Sequence, residues 1–330
     1  MDLDISLIIP HRNHTQFLPR LLDSVLAQKG VSLEVILVDD YSDEACDALV
    51  DAYRARGLRL VFLPSNRRIY TREARLRGLR AAQASVVAFA DADDALVGKE
   101  VLAHNLHRMR EHNADLLHFR SYFASEKKDF ESYFTLADPF ALRLTGKDIL
   151  TQALQADIHG TSVLWNKLFL KSVFEEFLDI AEASRVRRYA EDILLMYLYY
   201  MHAQRYISSH EVGYAYYYEP KHHKDGIERA IYAWYLLEEL LPHMAVLGFS
   251  PALQERFRDC LIHYLSLCVG RFALALDNEG NAISDAPIES MLRYADTNTL
   301  IKVLLLSSRV NAEKIVKATH VLRTGHVTSQ

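Results

Sequence analysis

The chain is poor in the residues that build covalent or metal-clamped scaffolds. Its only cysteines are Cys46, Cys260 and Cys268. They form no C-x-x-C pair and no zinc-like spacing, which argues against a disulfide framework or a structural zinc site. Long apolar runs are missing too: "LIKVLLLSSRV" is too short and too polar to cross a bilayer. No basic run with interleaved aromatics occurs, and the net charge is -5 with a pI near 6.3, which argues against a nucleic-acid partner. The opening "MDLDISLIIP" carries no basic leader, so the reading expects no signal peptide and a reducing cytoplasm, with peripheral attachment at the inner face of the plasma membrane left open.

What is present is a regular alternation. "ISLIIP" is an apolar run closed by Pro10, a buried-strand signal. Residues 15 to 27 set Phe17, Leu18, Leu21, Leu22, Val25 and Leu26 at helical spacing. "LEVILVDD" and "LRLVFL" read as further strands, 44 to 56 and 71 to 82 as helices, and "VVAFADADD" begins as a fourth strand. Alternation at this period predicts βαβ units in an α/β fold, a parallel sheet with helices on both faces. Beyond it, 98 to 112 reads as a helix and "DLLHF" as a strand, while the aperiodic stretch 120 to 145 is expected to be a long loop. "YAEDILLMYLYYMH" is a strong helix, "AYYYEPKHHK" closes the α/β part, and 226 to 330 is expected to be helical throughout. The expected domains are therefore 1–225, split near 115, and a helical 226–330.

Three strands end in polar clusters: "PHRN", "DDYSD" and "DADD". In open α/β sheets the carboxyl ends of the strands face the ligand. This puts Asp39, Asp40, Asp91, Asp93 and Asp94 on one rim. Carboxylates so concentrated suit a hard divalent cation, which takes one or two of them together with substrate phosphates. Taken alone, the same acids also serve as turn and helix-cap residues.

"SLIIPHRN", "VILVDDYSD" and "VVAFADADD" resemble the nucleotide-sugar-binding half of the family 2 glycosyltransferases, which have the GT-A fold. "LWNKLFLKSVF", "RYAEDILLMYLYY" and "VGYAYYYEPKHH" resemble the second half of bacterial members that build surface polysaccharides. The resemblance covers about residues 3 to 225. It implies that Pro10 and Arg12 line a nucleobase pocket, Asp40 meets the base, Asp91 the ribose, and Asp93 the metal, Mn²⁺ or Mg²⁺, with Asp94 in support. Asp192 matches the family's usual base, with Glu191 beside it. Trp165, Asn166 and Lys167 match a motif near the donor and acceptor, where Trp165 stacks on a sugar or fills the core. His222 or His223 would fold over the diphosphate and ligate the metal, unless both are surface histidines.

The family's N-x-G-x-x-x-A-R-N-x-G is altered here to "NRRIYTREARLRGL". Asn66, Ala74, Arg75 and Gly78 match, Arg68 replaces the first glycine, and Leu76 replaces the second asparagine. Arg75, with Arg72 as the alternative, is the expected diphosphate contact. Arg67, Arg68, Arg77 and Arg80 are read as a solvated basic face.

The implied activity is metal-dependent, inverting transfer from a nucleotide-diphosphate sugar, UDP-linked in most of the family, to a glycan or lipid-linked acceptor. A non-catalytic sugar-nucleotide-binding assembly protein is the competing reading. A nucleotidyltransferase is disfavoured because "PHRN" lacks glycine. The apolar surface of the helical tail must be buried, partly in a homo-oligomer interface if one forms. Its last segment sets Lys302, Arg309, Lys314, Lys317 and Arg323 against Glu313, a pattern that suits a solvated helix face or an anionic membrane.

Overall fold

The structure is a computed structural model, and it describes residues 3–125, 128–133, 137–156, 158–217 and 226–278. Two compact units divide the chain, Met1–Glu219 and Pro220–Gln330.

The first unit opens with β1 (Ile5–His11), α1 (Leu18–Leu26), β2 (Leu33–Asp39), α2 (Asp47–Ala55), β3 (Leu60–Pro64), α3 (Tyr70–Ala81) and β4 (Val86–Phe89). Then come β5 (Ala95–Leu96), α4 (Val101–Glu111), β6 (Leu116–Ser125), β7 (Lys128–Tyr133) and β8 (Arg143–Thr145). It continues through α5 (Asp148–Ala153), α6 (Ile158–Thr161), β9 (Lys167–Leu170), α7 (Lys171–Glu175), α8 (Leu178–Ala183), α9 (Glu191–His202) and β10 (Arg205–Tyr217). The second unit holds α10 (Gly226–Val246) and α11 (Pro251–Asn278).

One sheet runs in the order β3-β2-β1-β4-β9-β6-β10-β5, with β7 against β6 and β8 against β10. Strands β1 to β4 are parallel to their neighbours among themselves, as the alternation predicts. Their near-continuous apolar runs follow from burial on both faces: Val35, Ile36, Leu37 and Val38 are all buried. Helix α3 packs on β1 and β2. Gly78 permits that approach, because a Cβ there would stand 2.3 Å from Cγ2 of Ile8.

The other half is mixed in direction, so that the whole sheet is mostly parallel, as expected of a GT-A type fold. Strand β9 is antiparallel to both β4 and β6, and β10 is parallel to β6 but antiparallel to β5 and β8. The stretch 120 to 145 is more ordered than a loop, since it carries the end of β6, all of β7 and β8. A register shift between Phe123 and Ser125 interrupts the β6–β7 pairing within this stretch, and others between Ser208 and Tyr214 interrupt β10. A bulge breaks the two-residue alternation by which a strand is recognised.

In the second unit α10 and α11 pack on each other. Leu236, Leu240 and Met244 on one, and Phe257, Leu261 and Leu265 on the other, are buried at helical spacing. Among the described residues no helix is long and apolar enough to cross a membrane. The basic segment from Lys302 to Arg323 lies outside the described residues.

Candidate active site

The ends of β1 and β2 are joined by the backbone, with Asp40 N–H donating to the His11 carbonyl at 2.8 Å. Pro10 and Arg12 are half-buried on either side of His11. The Asp39 carboxylate turns back on its own loop and accepts from the Ser42 hydroxyl and N–H. Asp40 reaches across to the start of α3. Its Oδ1 accepts from the N–H groups of Ile69 and Tyr70, at 2.5 and 3.0 Å, and Oδ2 pairs with Arg68 Nε at 3.0 Å. A carboxylate offers about four lone-pair sites, so one remains for a ligand N–H. Arg68 is therefore partnered by Asp40, and departs from the purely solvated face expected of it. Arg77 and Arg80 also find partners, in Ser65 and in Glu73 and Glu182.

At the end of β4 the three acids of "DADD" take different environments. Asp94 is buried, with Oδ2 accepting from Tyr214 Oη at 2.7 Å and Oδ1 from Tyr217 N at 2.8 Å. Burial, then the neighbouring Asp91 and Asp93, holds its carboxyl well above the usual range. The same Tyr214 hydroxyl accepts the N–H of Asp91 at 3.0 Å. Asp93 faces outward, its carbonyl bonded by the Arg20 guanidinium, which lies 3.5 Å over the Tyr217 ring.

Arg75 links this turn to α9. The guanidinium is buried and donates to Glu191 Oε1 at 2.8 Å and to Asp91 Oδ1 at 3.3 Å. Two acids thus share the cation expected to contact the diphosphate. Arg72 is turned elsewhere, towards the carbonyl of Ser184. Burial pushes Glu191 up to about 7, with Asp192 and Asp91 adding to the rise and Arg75 opposing it. Asp91 is raised as well, mainly by burial. Asp192 sits half-buried in the first turn of α9, where the helix dipole favours an acid, and its Oδ1 accepts the N–H of Ile193. Ala190 before it takes a left-handed φ of 61° and turns the chain into the helix.

Trp165 is 5% exposed and lies parallel to the rings of Tyr214 and Tyr216, at 4.7 and 5.4 Å between centroids. It belongs to the core, and the sugar-stacking reading loses its support because the indole is already covered by β10. Asn166 and Lys167 are fully buried, the Lys167 ammonium donating to Val163 O and Asn166 Oδ1 at 2.7 and 2.8 Å. They form a structural network with His118. His222 and His223 lie outside the described residues.

Sequence reasoning passed over His14, Arg20, Tyr214 and Tyr217. His14 follows β1 and Arg20 lies on α1, whereas Tyr214 and Tyr217 share β10 and fall inside "VGYAYYYEPKHH", where no role was read for their side chains. His14 Nδ1 stands 3.8 Å from Asp93 Oδ2. Among the described residues no cluster of three or more His, Cys, Asp or Glu side chains converges on one point. A hard cation bound by one or two protein groups and substrate phosphates needs no such cluster. The outward carboxylate of Asp93 fits that kind of site.

The parallel βαβ half, strand-end acids and antiparallel β9 define a GT-A-type fold. Solved structures bear this out. S. aureus TarS 1–349 in complex with UDP matches at a TM-score of 0.57 and 19% identity, over 98% of this chain and 92% of that one. The mannosyltransferase PcManGT of Pyrobaculum calidifontis, solved with GDP-Man and Mn²⁺, matches at 0.55 and 14% identity, over 98% and 88%. The chain belongs to glycosyl transferase family 2, whose model matches residues 6–178. Among curated relatives, glycosyltransferase GlyG of Streptococcus pneumoniae is 24% identical over 64% of this chain and 70% of its own length. Succinoglycan biosynthesis protein ExoO of Rhizobium meliloti is 37% identical over 28% of this chain and only 26% of its own length.

Proposed function

We propose that the protein transfers a sugar from a nucleotide-diphosphate donor, UDP-linked, to a hydroxyl of a glycan or lipid-linked acceptor, with inversion and with a divalent metal. The observation that carries this reading is the bridge made by Arg75. It holds Asp91, at the end of β4, beside Glu191 and Asp192 at the start of α9. A donor-binding rim and a candidate base thus face one space.

Pro10, Arg12 and the remaining lone pair of Asp40 bind the base, and Asp91 the ribose. Asp93 holds the metal, Mn²⁺ or Mg²⁺, which when bound neutralises charge on the leaving diphosphate. Asp192 takes the proton from the acceptor hydroxyl as that oxygen forms its bond to the anomeric carbon. The bond from that carbon to the diphosphate oxygen breaks on the opposite face, and its electron pair leaves with the diphosphate. Glu191, paired with Arg75, orients the helix end that carries Asp192. The names of two relatives, for succinoglycan and amylovoran biosynthesis, support a polysaccharide acceptor.

Asp192→Asn tests the assignment. Transfer should fall by about 10²–10⁴-fold, the range for a positioned base, while calorimetry shows UDP binding unchanged. Unaltered transfer removes Asp192 from the role. Binding of UDP with no transfer by the wild type to any acceptor of a panel would favour an assembly protein, and pyrophosphate release from a nucleoside triphosphate a nucleotidyltransferase.

A further inference from the structure

Resting on the donor-site reading above, we infer that His14 supplies an imidazole ligand, beside the Asp93 carboxylate, to the divalent cation. The loop after β1 thereby helps to choose the metal.

The gap of 3.8 Å between Nδ1 of His14 and Oδ2 of Asp93 is too long for a hydrogen bond. One ion can span it, because two opposed bonds of about 2.1 Å reach about 4.2 Å, and a right-angled pair closes to about 3.0 Å. Neither group has another use among the described residues. No donor reaches the Asp93 carboxylate, and the His14 ring makes only an edge contact with Phe17, at 5.9 Å between centroids. Both side chains are open to solvent, at 36% and 25% exposure.

Both are also fixed from behind, as metal ligands need to be. The His14 carbonyl accepts the N–H groups of Phe17 and Leu18 at the start of α1. Next to it, Asn13 is tied to Ser42 and Asp43 across the loop. On the other side Arg20 holds the Asp93 carbonyl, and Asp94 is anchored to Tyr214 and Tyr217. The residue left free in that turn is the one that faces His14.

The ligand chemistry sets the preference. Mg²⁺ keeps to oxygen ligands and water, whereas imidazole binds first-row transition ions, increasingly from Mn²⁺ to Co²⁺. The competing account, an imidazolium paired with Asp93, predicts the reverse effect of removing His14. A positive charge would then be lost from the metal's own site, and affinity would stay level or rise.

The test uses the full chain with UDP. Free Mn²⁺ is counted by electron paramagnetic resonance, and bound Mn²⁺ is examined for nitrogen modulation in spin-echo experiments. In the wild type we expect nitrogen modulation. His14→Ala should abolish it and weaken Mn²⁺ binding about 10–100-fold, while competing Mg²⁺ weakens less than about 3-fold. UDP binding without metal should not change. Persistent modulation, or Mn²⁺ affinity level or higher in His14→Ala while Asp93→Asn loses it, overturns the inference and leaves the donor site standing. No Mn²⁺ uptake by the wild type in the presence of UDP overturns both.

Discussion

Strands β1 to β4 bring acids to the rim and tie Asp39 and Asp40 within their own half, whereas β10 brings the groups that bury and hold Asp94. In the first half the carboxylates of Asp39, Asp40, Asp91, Asp93 and Asp94 follow strands of uniform, buried, parallel geometry. In the second half the strands are bulged and mixed in direction, and their contribution is the hydroxyl of Tyr214, the N–H of Tyr217 and the helix end at Glu191. Concentrating charge is cheap at strand ends that face water. Keeping several carboxylates in distinct environments requires buried donors, and those come from elsewhere in the chain.

Arg75 joins the halves, so removing it is the strongest way to break the comparison. Arg75→Ala leaves the buried Glu191 and the half-buried Asp91 without their cation. Stability should fall by about 3–5 kcal/mol, as when one partner of a buried pair is removed, read by urea unfolding at neutral pH. A loss near zero would mean that the halves hold each other without this bridge. The next largest effect compares one glycine from each half. A Cβ on Gly78 would meet Ile8 at 2.3 Å, and one on Gly213 would meet Val101 at 2.5 Å and Phe119 at 2.7 Å. Each alanine variant should lose about 1–3 kcal/mol, Gly78→Ala the less because alanine favours a helix by up to about 1 kcal/mol.

A last comparison separates the halves by pH. Burial pushes His11 down from 6.5 to about 4. Across that window the unfolded chain takes up a proton that the folded chain refuses, so stability falls as pH falls. Glu191 is pushed up from 4.5 to about 7. There the folded chain keeps a proton that the unfolded chain has released, so stability falls as pH rises. Unfolding measured from about pH 4 to 8 should show His11→Gln removing the first slope and Glu191→Gln the second, each up to about 3 kcal/mol across the window. Slopes of the same sign would contradict one of the two burials.

Legibility followed the same division. Residues 33 to 40 and 71 to 82 could be read because burial on both faces writes an apolar run, and one-sided burial writes a helical period. Asp91, Asp93, Glu191 and Asp192 could be nominated because they fall in short motifs of the family. The motif around Arg75 points to a phosphate contact, whereas its pairing with Glu191, 116 residues away, has no local signature. Trp165 shows the same limit: the motif was visible, but only the approach of Tyr214 and Tyr216 decides that its ring is buried. The start of β6 is legible in "DLLHF", whereas its continuation, β7 and β10 are obscured by register shifts, which interrupt the ladder locally and scramble the order in which apolar residues occur.

By itself the sequence determined the α/β alternation, the rim of strand-end acids and the family to which they belong, because each is written within a few neighbouring residues. The tertiary structure alone decided which carboxylate is free. Asp94 is tied to Tyr214 and Tyr217, Asp91 to Arg75, and Asp93 is left facing His14. Three nearly adjacent acids are alike in sequence. Burial and hydrogen bonding, which depend on partners up to 123 residues distant, make them different.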